Sequence, residues 1–189
     1  MQMNKGAVIG IVVGVAVLII LISTVIWSVS TYNKLVALDE GVEEDWAQVE
    51  NKYQLKIDLI PALVAEVDKY QEFEESTLTN ITALRSRWME ASGDPDEQLD
   101  ISNQLDGMIR SIVLTVEEYP YLRSIEAVNN LMVSLEGTEN RISTERMRYN
   151  EGVREYNTKI KQFPSVIIAS MGGFEKRAYF ESDAAPENP

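Results

Sequence analysis

Between Glu136 and Arg141 the chain places two carboxylates, an amide and a guanidinium within six residues, its best-defined polar constellation. Helical spacing puts Glu136 and Asn140 on one face and carries Glu139, with Ile142, along an inward apolar stripe. A carboxylate that faces a core must be paired or protonated, because an unpaired buried charge is expensive. Arg141, Arg146 and Arg148 follow closely but do not share that face, so the expected partner comes from another helix. Two chemistries fit: a polar ligand or partner site inside a bundle, or a hydrogen-bond network that fixes helix register. Further on, Tyr149-Asn150 and Tyr156-Asn157 repeat at a spacing of seven, so both pairs fall on nearly the same side of a helix. Such a ladder either binds a partner helix or a sugar, or buries its rings with the hydroxyls at the rim.

Composition excludes more than the motifs suggest. The 189 residues include no histidine and no cysteine. That removes Ser-His-Asp triads, thiol nucleophiles, disulfides, and thiolate or imidazole metal sites. Thirty acids guarantee that some carboxylates fall close together by chance, so a carboxylate pair is weak support for glycosidase-like chemistry. No phosphate loop, dinucleotide fingerprint or metal-ligand spacing is present, and neither catalysis, metal nor cofactor is expected. Seventeen Lys and Arg against thirty Asp and Glu give a net charge of −13, which argues against nucleic acid, whose phosphates need a basic face.

The elements that must position these residues begin in a membrane. Residues 6–30, after a tail of residues 1–5, carry no Asp, Glu, Lys or Arg. As a helix they reach ~37 Å, enough to cross a hydrocarbon core of ~30 Å with some tilt. A cleaved signal peptide would have a shorter apolar region and a small-residue cleavage site. Here the run ends in Trp27 and Tyr32, which suit a membrane interface, so an uncleaved single-pass anchor is expected. The Lys/Arg balance across it is nearly level, and the soluble part is placed outside the cytoplasm. Gly6, Gly10 and Gly14 form a strip along the anchor against which another backbone can pack, which predicts a homo-oligomer.

The remainder reads as all-α: a transmembrane helix continuing into an antiparallel bundle of long helices over residues 31–181, then a disordered tail, residues 182–189. Apolar residues at steps of three and four run from Leu35 through Trp46, Tyr53 and Ile60 to Trp88, with a weaker stretch at 74–77. One helix is expected there, kinked but not ended by Pro61 and stopped at Gly93-Asp94-Pro95. Trp46 and Trp88 then plug opposite ends of the bundle. A second helix fits residues 96–119, closed by Pro120, and a third residues 125–163, closed by Pro164. In the third, Gly137 and Gly152 suggest bends or close packing. Residues 39–118 hold twenty acids and six bases, whereas 141–161 are net basic, so the third helix is expected to lie against the acidic first two. Val166, Ile167, Ile168 and Phe174 form an apolar segment that either contacts a neighbour or caps the bundle.

Several blocks resemble the LemA family. They are Tyr32-Asn33-Lys34-Leu35-Val36 with Trp46-Ala47-Gln48-Val49-Glu50, then Asp58-Leu59-Ile60-Pro61-Ala62-Leu63-Val64. The most specific is Leu135-Glu136-Gly137-Thr138-Glu139-Asn140-Arg141-Ile142 with Arg148-Tyr149-Asn150, Tyr156-Asn157 and Phe163-Pro164. The resemblance implies one N-terminal membrane helix, a long-helix bundle and a biochemical role that is largely undefined. Some relatives are associated with building magnetosome membranes. This chain departs from the family pattern at Ala62, Ile57 and Phe73, where asparagine, a basic residue and histidine are common. Those losses suit packing positions. The expected function is a self-assembling scaffold that organises membrane lipid bilayer. The alternative is a tethered adaptor or sensor that captures an unidentified protein partner.

Overall fold

The computed structural model describes residues 5–70, 75–92 and 94–180, with side-chain surroundings from residue 9 onward apart from 75–78 and 96. Six helices follow one another: α1 (Lys5–Asp68), α2 (Glu75–Glu90), α3 (Pro95–Glu118), α4 (Pro120–Arg123), α5 (Glu126–Lys161) and α6 (Ser165–Gly172). Among the described residues there is no strand. The expected tail at 182–189 and the departure at Phe73 lie outside them.

Local chemistry explains most of the boundaries. Pro61 lies within α1, which continues to Asp68, so this proline does not end its helix. Asp94 caps α3, its carboxylate accepting from the Glu97 N–H at 3.2 Å, and Pro95 takes the first turn, where its missing donor costs nothing. Gly173 ends α6 at φ 73°, a left-handed conformation that favours glycine.

The expected single helix from Leu35 to Gly93 is two. α1 ends at Asp68 and α2 begins at Glu75, where Glu74, Glu75, Ser76 and Thr77 interrupt the apolar stripe. Without an apolar face to bury, a continuous helix gains nothing over a turn that returns the chain to the core. Gly137 lies in α5 with open space where a Cβ would stand, so close packing is not its role.

The chain forms two compact units: Met1–Val42 with Gly152–Arg177, and Glu43–Glu151 with Ala178–Pro189. In the second, Arg85 pairs with Asp58 and Ser92 with Glu50, so α2 runs antiparallel to α1. Trp46 meets Gln98 and Lys56 meets Asp106, so α3 runs parallel to α1. Lys56 meets Glu139, and Trp46 meets Tyr149, so α5 runs antiparallel to it. The result is an up-down-up-down four-helix arrangement. Its core includes Ile60, Leu63, Val67, Ile81, Ile112, Val116, Leu122, Val128, Met132 and Leu135.

Trp46 and Trp88 therefore do not sit at opposite ends. The reversal after Asp68 brings both to Gln98, which accepts from the Trp46 indole N–H at 3.0 Å and donates to the Trp88 carbonyl at 3.5 Å. In the same unit, burial and the charges of Glu44 and Glu145 raise the Asp45 pKa above the usual 3.8, opposed by Arg148. A raised carboxylate pKa means that the folded state disfavours the charge above the unfolded pKa, and the penalty fades as pH falls through the folded value. Asp45→Asn should be slightly stabilising in a thermal melt at pH 7, and the gain should disappear below about pH 4.

In the other unit, Leu35, Val42, Val153 and Tyr156 are buried, as are Ser165 and Ala169 of α6. Residues 9–26 of α1 are exposed throughout. This helix alone among those described is long and apolar enough to cross a membrane, with a window of mean hydropathy 3.1, none of it buried.

Candidate functional site

Donors from two helices converge on the carboxylate of Asp106 on α3. Its Oδ1 accepts from Lys56 Nζ at 2.7 Å, and its Oδ2 from Arg146 Nη2 at 2.5 Å and the Tyr53 hydroxyl at 3.0 Å. Tyr53 and Lys56 are three apart on α1 and so reach the same side, while Arg146 comes from α5. Lys56 is 2% exposed and also pairs with Glu139 of α5. The Arg146 guanidinium lies 5.2 Å from the Tyr53 ring centre and 4.8 Å from that of Phe180. Two cations and two carboxylates thus brace α1, α3 and α5. Beside them opens a cavity of about 450 Å³ lined by Lys56, Asp106, Arg110, Glu136, Glu139 and Asn140, over apolar Ile109, Val113, Met132 and Leu135.

The Glu136–Arg141 constellation is partly assembled here. Glu136 and Asn140 line one cavity, as their spacing requires. Glu139 does find its partner on another helix, Lys56, but its side chain is 49% exposed at the rim rather than inward. Thr138 holds the buried position instead, its hydroxyl donating to the Ser134 carbonyl at 2.8 Å. Glu136 pairs with Arg123 at 2.9 Å, and Arg141 is exposed. The expected placement of basic third-helix residues against acidic ones is met by Arg146 on Asp106.

The Tyr-Asn ladder is occupied by the chain's own closing segment. Asn150 Nδ2 donates to the Phe180 carbonyl at 3.1 Å and its Oδ1 accepts the Phe180 N–H at 2.9 Å. Asn157 does the same to Arg177, at 2.8 and 3.0 Å. The buried Tyr149 donates its hydroxyl to the Ala178 carbonyl at 3.1 Å. In its own unit, Tyr156 is buried, and desolvation, reinforced by Asp39, raises its phenol pKa above the ordinary 10.0. Arg177 forks onto Asp39 Oδ1 at 2.9 and 3.1 Å. In α6, Ile168 is half-buried and Val166 and Ile167 are exposed. Phe174 packs on Tyr32 with ring centres 5.5 Å apart. Gly10 and Gly14 have open space where a Cβ would stand, whereas the surroundings of Gly6 lie outside the described residues.

A family model described as the LemA family matches residues 45–189. The chain belongs to the LemA family. It is 24% identical to magnetosome protein MamQ 2 of Paramagnetospirillum magneticum over 203 residues, covering 92% of this chain and 75% of that protein. Magnetosome protein MamQ of Magnetospirillum gryphiswaldense is 31% identical over 78 residues, 41% of this chain and 29% of that one. Protein LemA of Metamycoplasma hominis is 24% identical over 113 residues, 60% of this chain and 52% of its own. Of the departures from the LemA pattern, Ile57 is buried, as a packing substitution should be, whereas Ala62 is exposed and does not serve packing.

Lys56, Asp106, Gln98 and the Asp39–Arg177 pair carry no motif, and sequence reasoning missed them. A signal did exist for the first two. Lys56 continues the steps Tyr53, Lys56, Ile60, Leu63, and Asp106 the steps Asp106, Ile109, Val113. A lone base and a lone acid in the apolar registers of two helices are a pair waiting to be matched.

Proposed function

We propose that this LemA-family chain is a membrane-anchored, self-assembling helical scaffold that organises membrane and catalyses no reaction. The observation that carries this reading is the continuity of α1. One unbroken helix, Lys5–Asp68, holds both the apolar window and the core residues Ile60 and Leu63, with no linker between the anchor and the first helix of the bundle. The magnetosome proteins among its relatives support a membrane-organising role by analogy. The anchor crosses the bilayer with the bundle outside the cytoplasm, and copies associate through the strip of Gly6, Gly10 and Gly14.

The detergent-solubilised full chain should run as a large, discrete particle by light scattering coupled to size exclusion. Gly10→Ile should weaken self-association in a membrane reporter assay by about 1 kcal/mol, the scale of single interhelical contacts in bilayers. An unchanged signal, with insertion verified, removes the strip from assembly. The cavity lined by Lys56 and Glu139 favours a second reading, a tethered adaptor that takes a protein partner. A monomer or dimer that gains mass only with cell extract supports that reading over the scaffold.

A further inference from the structure

A helix that is apolar on every side needs cover on every side, from protein or from lipid. Serines 165 and 170 are the only polar side chains of α6. Ser165 and Ala169, four apart, are turned into the fold at 3% and 2% exposure. Ile167 and Met171, also four apart, point outward at 49% and 82%, and Phe163 just before the helix is 83% exposed. Large apolar side chains exposed together on one face, with Ser170 the one exposed polar side chain among them, mark a contact.

The position of α6 identifies the contact. Phe174, whose N–H bonds back to the Ala169 carbonyl at 3.1 Å, lies edge-on against Tyr32. Tyr32 is two residues beyond the apolar run, ~3 Å along the helix axis. On α1 burial begins at Thr31 and Leu35, 8% and 0% exposed, so packed protein starts where the run stops. A run of ~37 Å exceeds a hydrocarbon core of ~30 Å, which leaves Tyr32 in the headgroup layer rather than clear of it.

We propose that the outward face of α6, with Phe163, is seated in the headgroup–acyl boundary of the same bilayer that α1 crosses. This rests on the reading of residues 6–30 as a membrane span. The seat gives the unit that holds α6 a second point of contact with the bilayer, beside the anchor itself. Lys34, two residues beyond Tyr32, and Lys161, in the last turn of α5, supply cations suited to lipid phosphates.

The natural chain has no cysteine, so single sites can be labelled without other changes. The full-length protein would carry an environment-sensitive fluorophore at Met171→Cys, at Ile22→Cys in the span, or at Ser86→Cys on the exposed surface of α2. Each would be reconstituted in liposomes with and without brominated acyl chains. The Met171 site should emit to the blue of the Ser86 site and lose emission to brominated lipid, though less than the Ile22 site. Emission at Met171 matching Ser86, with Ile22 quenched, overturns the seat and leaves the span standing. Blue-shifted but unquenched emission at Met171 also overturns it, because a second copy then covers the helix. An unquenched Ile22 site overturns the span and the seat together.

Discussion

Asp106→Ala should lower the stability of the bundle by about 3–5 kcal/mol, the cost of removing one partner from a buried ion pair. In a domain of this size that is a fall in melting temperature on the order of 10 °C. Three donors lose their acceptor at once: Lys56, Arg146 and the Tyr53 hydroxyl. Lys56, 2% exposed, is left with Glu139 alone. Lys56→Met should cost far less, about 1 kcal/mol, because Asp106 keeps two donors, Glu139 is free to solvate, and an unbranched apolar chain fills the slot. Thermal melts of the detergent-solubilised chain followed by circular dichroism give the ranking. A larger loss for Lys56→Met than for Asp106→Ala would move the centre of the network to the amine.

The same network shows what a sequence can and cannot carry. Helix ends set by local chemistry were legible: Asp94 and Pro95 at the start of α3, Pro120 after it, and Gly173 closing α6. So was the continuation of α1 past Pro61, since strong apolar periodicity on both sides of a proline favours carrying the helix through it. The rotation of α5 was not. Leu135 and Ile142 are seven apart, and the intervening inward position is reached either by three then four residues, at Thr138, or by four then three, at Glu139. Both fit a period of 3.6, and only tertiary packing selects Thr138, which is 3% exposed. That choice put Glu139 at the rim, where it meets Lys56. The reversal between α1 and α2 shows in the sequence only as a lapse in the apolar stripe, which fits a weak stretch of one helix equally well. A single helix there separates Trp46 from Trp88 and hides Gln98 between them. The Tyr-Asn repeat was legible as a ladder, but its occupant, the closing segment, is more than twenty residues downstream of Asn150 and has no periodicity of its own.

Phe180→Ala tests whether that segment belongs to the core, and the expected loss is about 3–5 kcal/mol. Phe180 is 4% exposed, stacked on Trp46 at 5.4 Å and 22°, edge-on to Tyr149 at 5.6 Å, and beneath Arg146. The cavity left by alanine closes poorly, because Asn150 still holds the backbone of residue 180 by two hydrogen bonds and Tyr149 holds that of Ala178. Asn150→Ala removes both backbone bonds while leaving the ring in place, and should cost about 1–3 kcal/mol. The double variant should lose less than the sum of the two, since a segment already released has no ring left to expel. Trp46 fluorescence separates packing from general loosening: it should shift to the red in Phe180→Ala under conditions where helicity is unchanged. A loss below about 1 kcal/mol with an unshifted Trp46 would mean that the ring contributes no more than a surface residue. The ladder on α5 would then hold only the backbone of the closing segment, and Arg146, deprived of its Phe180 neighbour, would keep Asp106 and the Tyr53 ring.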